Sequence, residues 1–313
     1  MSDPGMFPAG LIKLRLPATS ANLGSGFDAV AVALDFYLEL VAEAAAEFSI
    51  AVTGRNADRC GRLEDNLVLE TYKDLLRKND KAIVPLSIKM KNGIPLAMGC
   101  GSSAAGRLAA IALAVHFGRL EWGSERILEE AYQLEGHPDN VAACWLGGFV
   151  AAACEGRAVK VAQVTPPTDW RVIVVLPAEQ LPTSKARAVL PASYPLSDVV
   201  SNLQAVSMLG LAFAQGRGDL LKAAMSDRVH QPYRAPICRQ LPMLLPLVGK
   251  HGILGAALSG AGPAVLVIVA NEGSLERASS AIRGAVGELD ESELLVCRFE
   301  AAGTSGLSAA KLP

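Results

Sequence analysis

PLAMGCGSSAAGRL, residues 95–108, follows a strand-like run at Leu86–Met90 and a Lys-Asn-Gly turn, and it passes into an Ala-rich helical pattern. The order is therefore strand, Gly/Ser loop, helix. Glycines such as Gly99 and Gly101 let a backbone fold tightly against a ligand. The free N–H groups of a helix start, with the helix dipole behind them, attract anions. Ser102 and Ser103 add hydroxyls able to donate to phosphate oxygens or to ligate a metal. Ala104, Ala105, Ala109 and Ala110 let the helix pack closely behind the loop. Two readings fit these residues: a phosphate cradle, or a Gly-rich turn with a Ser N-cap. A Walker A loop is excluded, because no Lys-Ser or Lys-Thr follows its glycines.

The chain around this loop has 313 residues, 51% of them hydrophobic and 19% charged. That length buries a large core and favours two domains. A net charge of -2 shows no basic excess, which argues against nucleic acid as a partner. Six cysteines (Cys60, Cys100, Cys144, Cys154, Cys238 and Cys297) stand singly, without metal-binding spacing. They read as small buried residues of a reducing compartment. No charge-free run of membrane-spanning length is expected, and residues 1–10 lack the basic and apolar regions of a secretory signal. The expected location is the cytoplasm.

N-terminal to the loop, Ile12–Leu16 alternates as a strand, and PATSANLGSGFD (17–28) reads as a shaped loop or short helix start. Ala29–Leu40 and Phe48–Thr53 read as strands, and Leu67–Leu76 as an amphipathic helix capped by Asp65 or Asn66. On the other side, a helix over 103–117 precedes a second over Ser124–Leu134, with Ser124 as N-cap. Glu135-Gly136-His137-Pro138-Asp139-Asn140 ends it, and a short helix follows at Val141–Leu146. Phe149–Ala153 and Val159–Val164 form a hairpin pattern, and Thr165-Pro166-Pro167-Thr168 breaks it. The domain boundary is placed there, giving domains 1–166 and 167–313. The second half holds strands at Arg171–Leu176, Gly255–Leu258, Ala264–Ala270 and Leu294–Phe299. Its helices are expected near 197–215, 240–250 and 274–286, and SGAGP (259–263) is a second Gly-rich turn. Alternation in both halves indicates a two-layer α/β or α+β architecture.

PATSANLGSGFD, IPLAMGCGSSAAG and LSGAGPAVLV together resemble the three motifs of the GHMP kinases, the small-molecule kinases that act on galactose, homoserine, mevalonate and phosphomevalonate. The resemblance spans nearly the whole chain. PATSANLG, EGHPDNVAACWLGG, TSKARAVLP and DRVHQPYR are most similar to the members that act on homoserine. The chain departs from them at Met98 and Cys100, where Arg and Leu are usual. The resemblance implies an α+β fold with an N-terminal domain like ribosomal protein S5 domain 2 and a ferredoxin-like C-terminal domain.

The resemblance also implies the site. ATP would set its phosphates on Pro95, Leu96, Ala97, Met98, Gly99, Cys100, Gly101, Ser102, Ser103, Ala104 and Ala105, with a syn adenine beside Asn66. Glu135 and Ser102 would hold Mg²⁺, which takes one or two hard oxygen ligands besides phosphate and water. The acceptor, a small zwitterion, needs a cation for its carboxylate and an anion for its ammonium. Arg187 and Arg234 match the carboxylate-binding positions, and an Arg meets a carboxylate with two parallel hydrogen bonds. Asn22, Asp28 and Asp139 match those facing the ammonium and hydroxyl end, with His137, Thr183 and Gly260 in the same pocket.

Asn22, Asp28 and Asn140 are the expected catalytic residues. Asn140 stands where mevalonate-kinase-like members place an Asp, so no strong base is expected there. Phosphoryl transfer tolerates this, because its loose transition state asks mainly for positioning and charge neutralisation. The activity implied is ATP-dependent phosphorylation of the L-homoserine side-chain hydroxyl, feeding threonine synthesis, by a homodimer. The rivals are a mevalonate- or shikimate-type kinase of the family and a catalytically silent binding module of the same fold.

Overall fold

The computed structural model describes residues 10–287 and 291–305. The expectation about a secretory signal concerns residues 1–10 and so lies almost wholly outside them. The chain opens with β1 (Ile12–Asn22), β2 (Gly26–Ala44), β3 (Ser49–Gly54), a one-turn helix α1 (Ala57–Cys60), α2 (Leu67–Lys78) and β4 (Leu86–Asn92). It continues through α3 (Ser102–Phe117), α4 (Ser124–Glu135), α5 (Asp139–Leu146), β5 (Phe149–Glu155) and β6 (Ala158–Val164). β7 (Arg171–Leu176), α6 (Thr183–Ala188), α7 (Leu196–Gln215), α8 (Leu221–Ala224), α9 (Gln231–Arg234) and α10 (Gln240–Leu244) follow. β8 (Ile253–Leu258), β9 (Val265–Val269), α11 (Leu275–Val286) and β10 (Glu293–Cys297) close it.

The first sheet runs β3-β4-β2-β5-β6, with β1 paired to β2. β2 is long enough to serve both ends: residues 38–44 pair with β4 and residues 30–32 with β5. The residues 17–22 expected as a loop are strand instead, in register with β2 from Pro17↔Tyr37 to Asn22↔Gly26. Their Thr, Ser and Asn side chains resemble a turn in composition, but they are buried and the ladder holds their backbone. The loop proper is confined to residues 23–25. α3 lies in the core, its alanines 104, 105, 109, 110, 112 and 114 almost fully covered, so small side chains bring it close to its neighbours.

The second sheet is antiparallel, β10-β7-β9-β8. Val and Ile fill β7 and β9, which are buried on both faces. The helix expected over 240–250 is only α10 and a 3₁₀ turn at Leu245–Leu247, because Pro246 lacks the N–H that would continue it. Ser124 is the first helical residue of α4 and not its cap; its Oγ instead accepts a 2.6 Å bond from Trp145 Nε1.

α7 overturns the expectation about charge-free runs. Residues 199–216 carry no charge, and by length and composition the helix could cross a membrane. Its Ala205, Leu209, Ala212 and Phe213 nevertheless pack into the protein core, whereas Leu196, Val200, Leu203 and Leu211 are exposed. One apolar core joins β1 and β2 to Trp170, Val172, Leu209 and Leu266, and a second lies wholly in the later half. Residues 299–305 return to the first sheet through bridges Leu34↔Phe299 and Arg15↔Ser305.

Candidate active site

α3 begins at Ser102 after Gly101, whose φ of 72° is left-handed, and no side chain caps the helix. The Ser-capped-turn reading therefore fails, and the amides of the first turn are left for a ligand. Two glycines are required here. A Cβ on Gly99 (φ 80°) would lie 1.9 Å from the Ser259 carbonyl oxygen, and one on Gly101 would lie 1.9 Å from Thr19 Oγ1. Ser259 Oγ donates to Gly99 O at 2.8 Å, and Thr19 N to Cys100 O at 3.1 Å. The loop is thus pinned from both halves of the chain. Met98 and Cys100 are buried, and burial pushes the Cys100 thiol up to about 12. Neither side chain is aimed at a ligand by its charge; the cradle is backbone.

Gly99, Gly101, Ser102, Ser103 and Ala104 open on a cavity of about 370 Å³ that also reaches Glu135, Asp28, Arg187 and Arg234. Ser102 and Ser103 border a second cavity, of about 270 Å³, beside Asn66 and Leu96. The pair suits a nucleotide, with phosphates at the helix start and a base in the second cavity. Asn66 cannot offer its side chain to that base. Its Oδ1 accepts from Val68 N and Leu69 N, and its Nδ2 donates to Cys60 O and Arg62 O, which uses all its ordinary capacity. It shapes the base cavity by capping α2.

The hydroxyl that meets Glu135 is that of Ser103, not Ser102. The phase follows from the helix starting at Ser102. Glu135 Oε1 also lies 2.7 Å from Arg107 Nε, a residue the motifs do not mark. A carboxylate beside a hydroxyl at an anion-binding helix start suits Mg²⁺ carried with phosphates, because that ion keeps few protein ligands.

Around the rest of the cavity stand the acceptor residues. Arg234 is 1% exposed, and among the described residues no carboxylate lies within 4 Å of it. Its Nε donates to Ala186 O at 3.0 Å, and its Nη1 to His230 Nδ1 and to Gly260 O. His230 Nε2 faces Gly24 O at 2.8 Å, which assigns the proton to Nε2, and burial keeps this ring neutral by pulling its pKa down. Phe27 lies under both guanidinium groups, 5.5 Å from that of Arg187 and 5.3 Å from that of Arg234. Arg187 and Asp28, expected to meet opposite ends of a substrate, hold each other instead through bonds of 3.0 and 2.7 Å. Asn22 donates to Gly260 O and accepts from Asp28 N, so it ties the first and third motifs together. Thr183, the first residue of α6, lines the cavity without capping the helix.

Asp139 is buried and its Oδ1 accepts from Asn140 N at 2.6 Å and meets His137 Nδ1 at 3.1 Å. Asn140 Oδ1 in turn accepts from Thr19 Oγ1 at 2.7 Å. Thr19, Phe27 and Arg107 are the residues that sequence reading passed over. The first two sit inside a quoted motif, so their position there was the available signal.

The Asp139 carboxylate, hydrogen-bonded to His137, holds that imidazole protonated to a pH above the ordinary 6.5, against the opposite pull of burial. A group raised in the folded state stabilises fully below its unfolded value, and that contribution fades as pH rises through the folded one. His137→Asn should therefore flatten the fall in Tm just above pH 6.5; an unchanged Tm–pH slope would discount the pair.

Amides at a helix start beside one carboxylate are equipment for phosphoryl transfer to a small molecule. The chain is similar to known proteins that do such chemistry. Residues 66–148 match the GHMP kinases N terminal domain, and residues 211–288 match the GHMP kinases C terminal model. A homoserine kinase of Solibacter usitatus is 43% identical over 255 residues, 81% of this chain and 84% of its own. One from Thermus thermophilus is 39% identical over 281 residues, 88% and 94% of the two chains. The crystal structure of homoserine kinase from Cytophaga hutchinsonii superposes with a TM-score of 0.81 at 23% identity, covering 97% of this chain and 99% of that one, which shows the shared fold. The chain belongs to the GHMP kinase family, and it is a kinase.

Proposed function

We propose that the chain transfers the γ-phosphoryl group of ATP to the side-chain hydroxyl of L-homoserine, giving O-phospho-L-homoserine for threonine biosynthesis in the cytoplasm. The observation that carries the reading is Arg234. A guanidinium 1% exposed at the wall of a cavity, with no carboxylate within 4 Å among the described residues, is favourably placed for an anion to meet it. A substrate carboxylate is such an anion. The Arg187–Asp28 pair supports the other end. Its side chains are 39% and 34% exposed, so parting them costs roughly 1 kcal/mol or less. A zwitterion replaces each partner at once, with its carboxylate at the arginines and its ammonium at Asp28.

The α3 amides would cradle the phosphates, and Glu135 with Ser103 would hold Mg²⁺. That ion, when bound, neutralises charge on the β- and γ-phosphates. Asn140 orients and does not take a proton: an amide has no basicity to offer, and its Oδ1 already accepts from Thr19. Asp28, freed from Arg187, is the carboxylate beside the acceptor. Residues 1–166 would form the nucleotide domain and 167–313 its partner, with transfer in the seam between the two sheets. The six unpaired cysteines fit the cytoplasmic reading.

The working unit is read as a homodimer. Leu196, Val200, Leu203, Ser207 and Leu211 make one outward stripe on α7, with no charge from 199 to 216. Laid antiparallel on a copy about the point midway between Leu203 and Gln204, Leu196 would meet Leu211 of the partner subunit and Val200 would meet Ser207 of the partner subunit. A stripe complementary to itself is what a two-fold interface needs. Leu203→Glu should sediment as a monomer; a wild type that is itself monomeric at micromolar concentration contradicts the dimer.

The acceptor reading is tested with 3-amino-1-propanol, which is homoserine without its carboxylate. It leaves two arginines unpaired, so kcat/KM should fall by about a hundredfold or more. Comparable efficiency for the two acceptors would remove the argument from Arg234.

A further inference from the structure

Arg107 lies outside every motif, yet it stands directly behind the carboxylate assigned to the cation. Ser103 and Arg107 are one turn apart on α3, so their side chains share a face. Both converge on the same atom, Glu135 Oε1: Ser103 donates its hydroxyl, and Arg107 Nε lies at 2.7 Å as a charge contact whose N–H is not aimed at the oxygen. No donor meets Oε2 among the described residues, while Glu135 lines the cavity. One oxygen is therefore held by two partners, Ser103 at the cavity and Arg107 outside its lining, and the other is left without a donor. The Glu135 side chain is only 9% exposed and Arg107 25%, so their charges interact through little water.

We infer that Arg107 is a positioning residue of the cation site: it fixes the Glu135 rotamer and cancels its charge, so the site takes a divalent cation with the nucleotide and not before it. This rests on the reading of Glu135 as the cation ligand. A free cation approaching Oε2 meets a carboxylate whose charge is balanced by the guanidinium behind it. The other carboxylates lining this cavity are already engaged, Asp28 by Arg187 and Asp139 by His137 and the Asn140 N–H. A triphosphate on the α3 amides changes the balance, because it brings several negative charges to the same corner. Arg107 then no longer outweighs the attraction, and its hold on Oε1 keeps the carboxylate aimed.

The test uses Mn²⁺ as the probe, with binding read by electron paramagnetic resonance rather than by turnover. Wild type should bind Mn²⁺ weakly alone and much more tightly with a non-hydrolysable ATP analogue. Arg107→Met should bind Mn²⁺ without nucleotide ten- to a hundredfold more tightly than wild type, an order-of-magnitude expectation for removing one nearby positive charge. Arg107→Gln, which keeps a polar head without the charge, should give the same gain should the Met variant fold poorly. Arg107→Lys should stay near wild type. A purely structural ion pair would lower Tm in the Met and Gln variants and leave nucleotide-free Mn²⁺ affinity within twofold of wild type, which would overturn the inference. Adding Glu135→Gln to Arg107→Met should abolish the gain. If Glu135→Gln alone leaves Mn²⁺ affinity unchanged with the analogue bound, the ligand reading of Glu135 falls, and this inference with it.

Discussion

Glu135→Gln lowers turnover by on the order of a thousandfold while the protein stays folded and still binds nucleotide. The amide keeps the shape of the side chain, and its oxygen can still accept from Ser103. What is lost is the negative charge that would hold Mg²⁺ against the β- and γ-phosphates, where transition-state charge is neutralised. Arg107 loses its counter-charge while its Nε is buried without a hydrogen-bond partner, so Tm should fall modestly as well. Steady-state kinetics at saturating magnesium, with calorimetry of nucleotide binding, separates the two effects. Turnover within tenfold of wild type would remove Glu135 from the cation site.

Arg234→Met should reduce kcat/KM for homoserine by about a hundredfold, the upper range for a charge-assisted hydrogen bond. Methionine fills much of the same volume without charge. The variant also strips Ala186 O and His230 Nδ1 of their donor, so Tm should fall as well. Arg187→Met provides the control. That side chain is 39% exposed and among the described residues its ion pair is with Asp28, so its loss should raise KM with little change in Tm. Neither variant should lose much activity towards 3-amino-1-propanol. Equal losses on both acceptors would mean that Arg234 supports the fold and not the carboxylate.

The strand, Gly/Ser loop and helix around residue 101 were legible because glycine conformational freedom and helix-start chemistry act locally. Glu135 was singled out by the family resemblance together with its place beside His137 and Asp139, in a polar knot within an apolar stretch. Residues 17–22 were misread as a loop, because Thr, Ser and Asn imitate a turn while a distant strand supplies their ladder. Ser102 and Ser103 could not be told apart before the helix start was known, since one residue turns a helical side chain by about 100°. The Arg187–Asp28 pair and the clamp of Arg107 on Glu135 join residues 159 and 28 positions apart, and no local pattern carries such contacts. Asn66 was read with two roles; its four hydrogen bonds leave only the capping one to its side chain.

The most direct measurement is a competition. Wild type is given MgATP with equal concentrations of L-homoserine and mevalonate, and the phosphorylated products are identified by ³¹P NMR and mass spectrometry. The expected result is O-phospho-L-homoserine in step with ADP, with no mevalonate phosphate above background. Mevalonate phosphorylated at a comparable rate, or ADP released with no phosphoester on homoserine, would contradict the assignment.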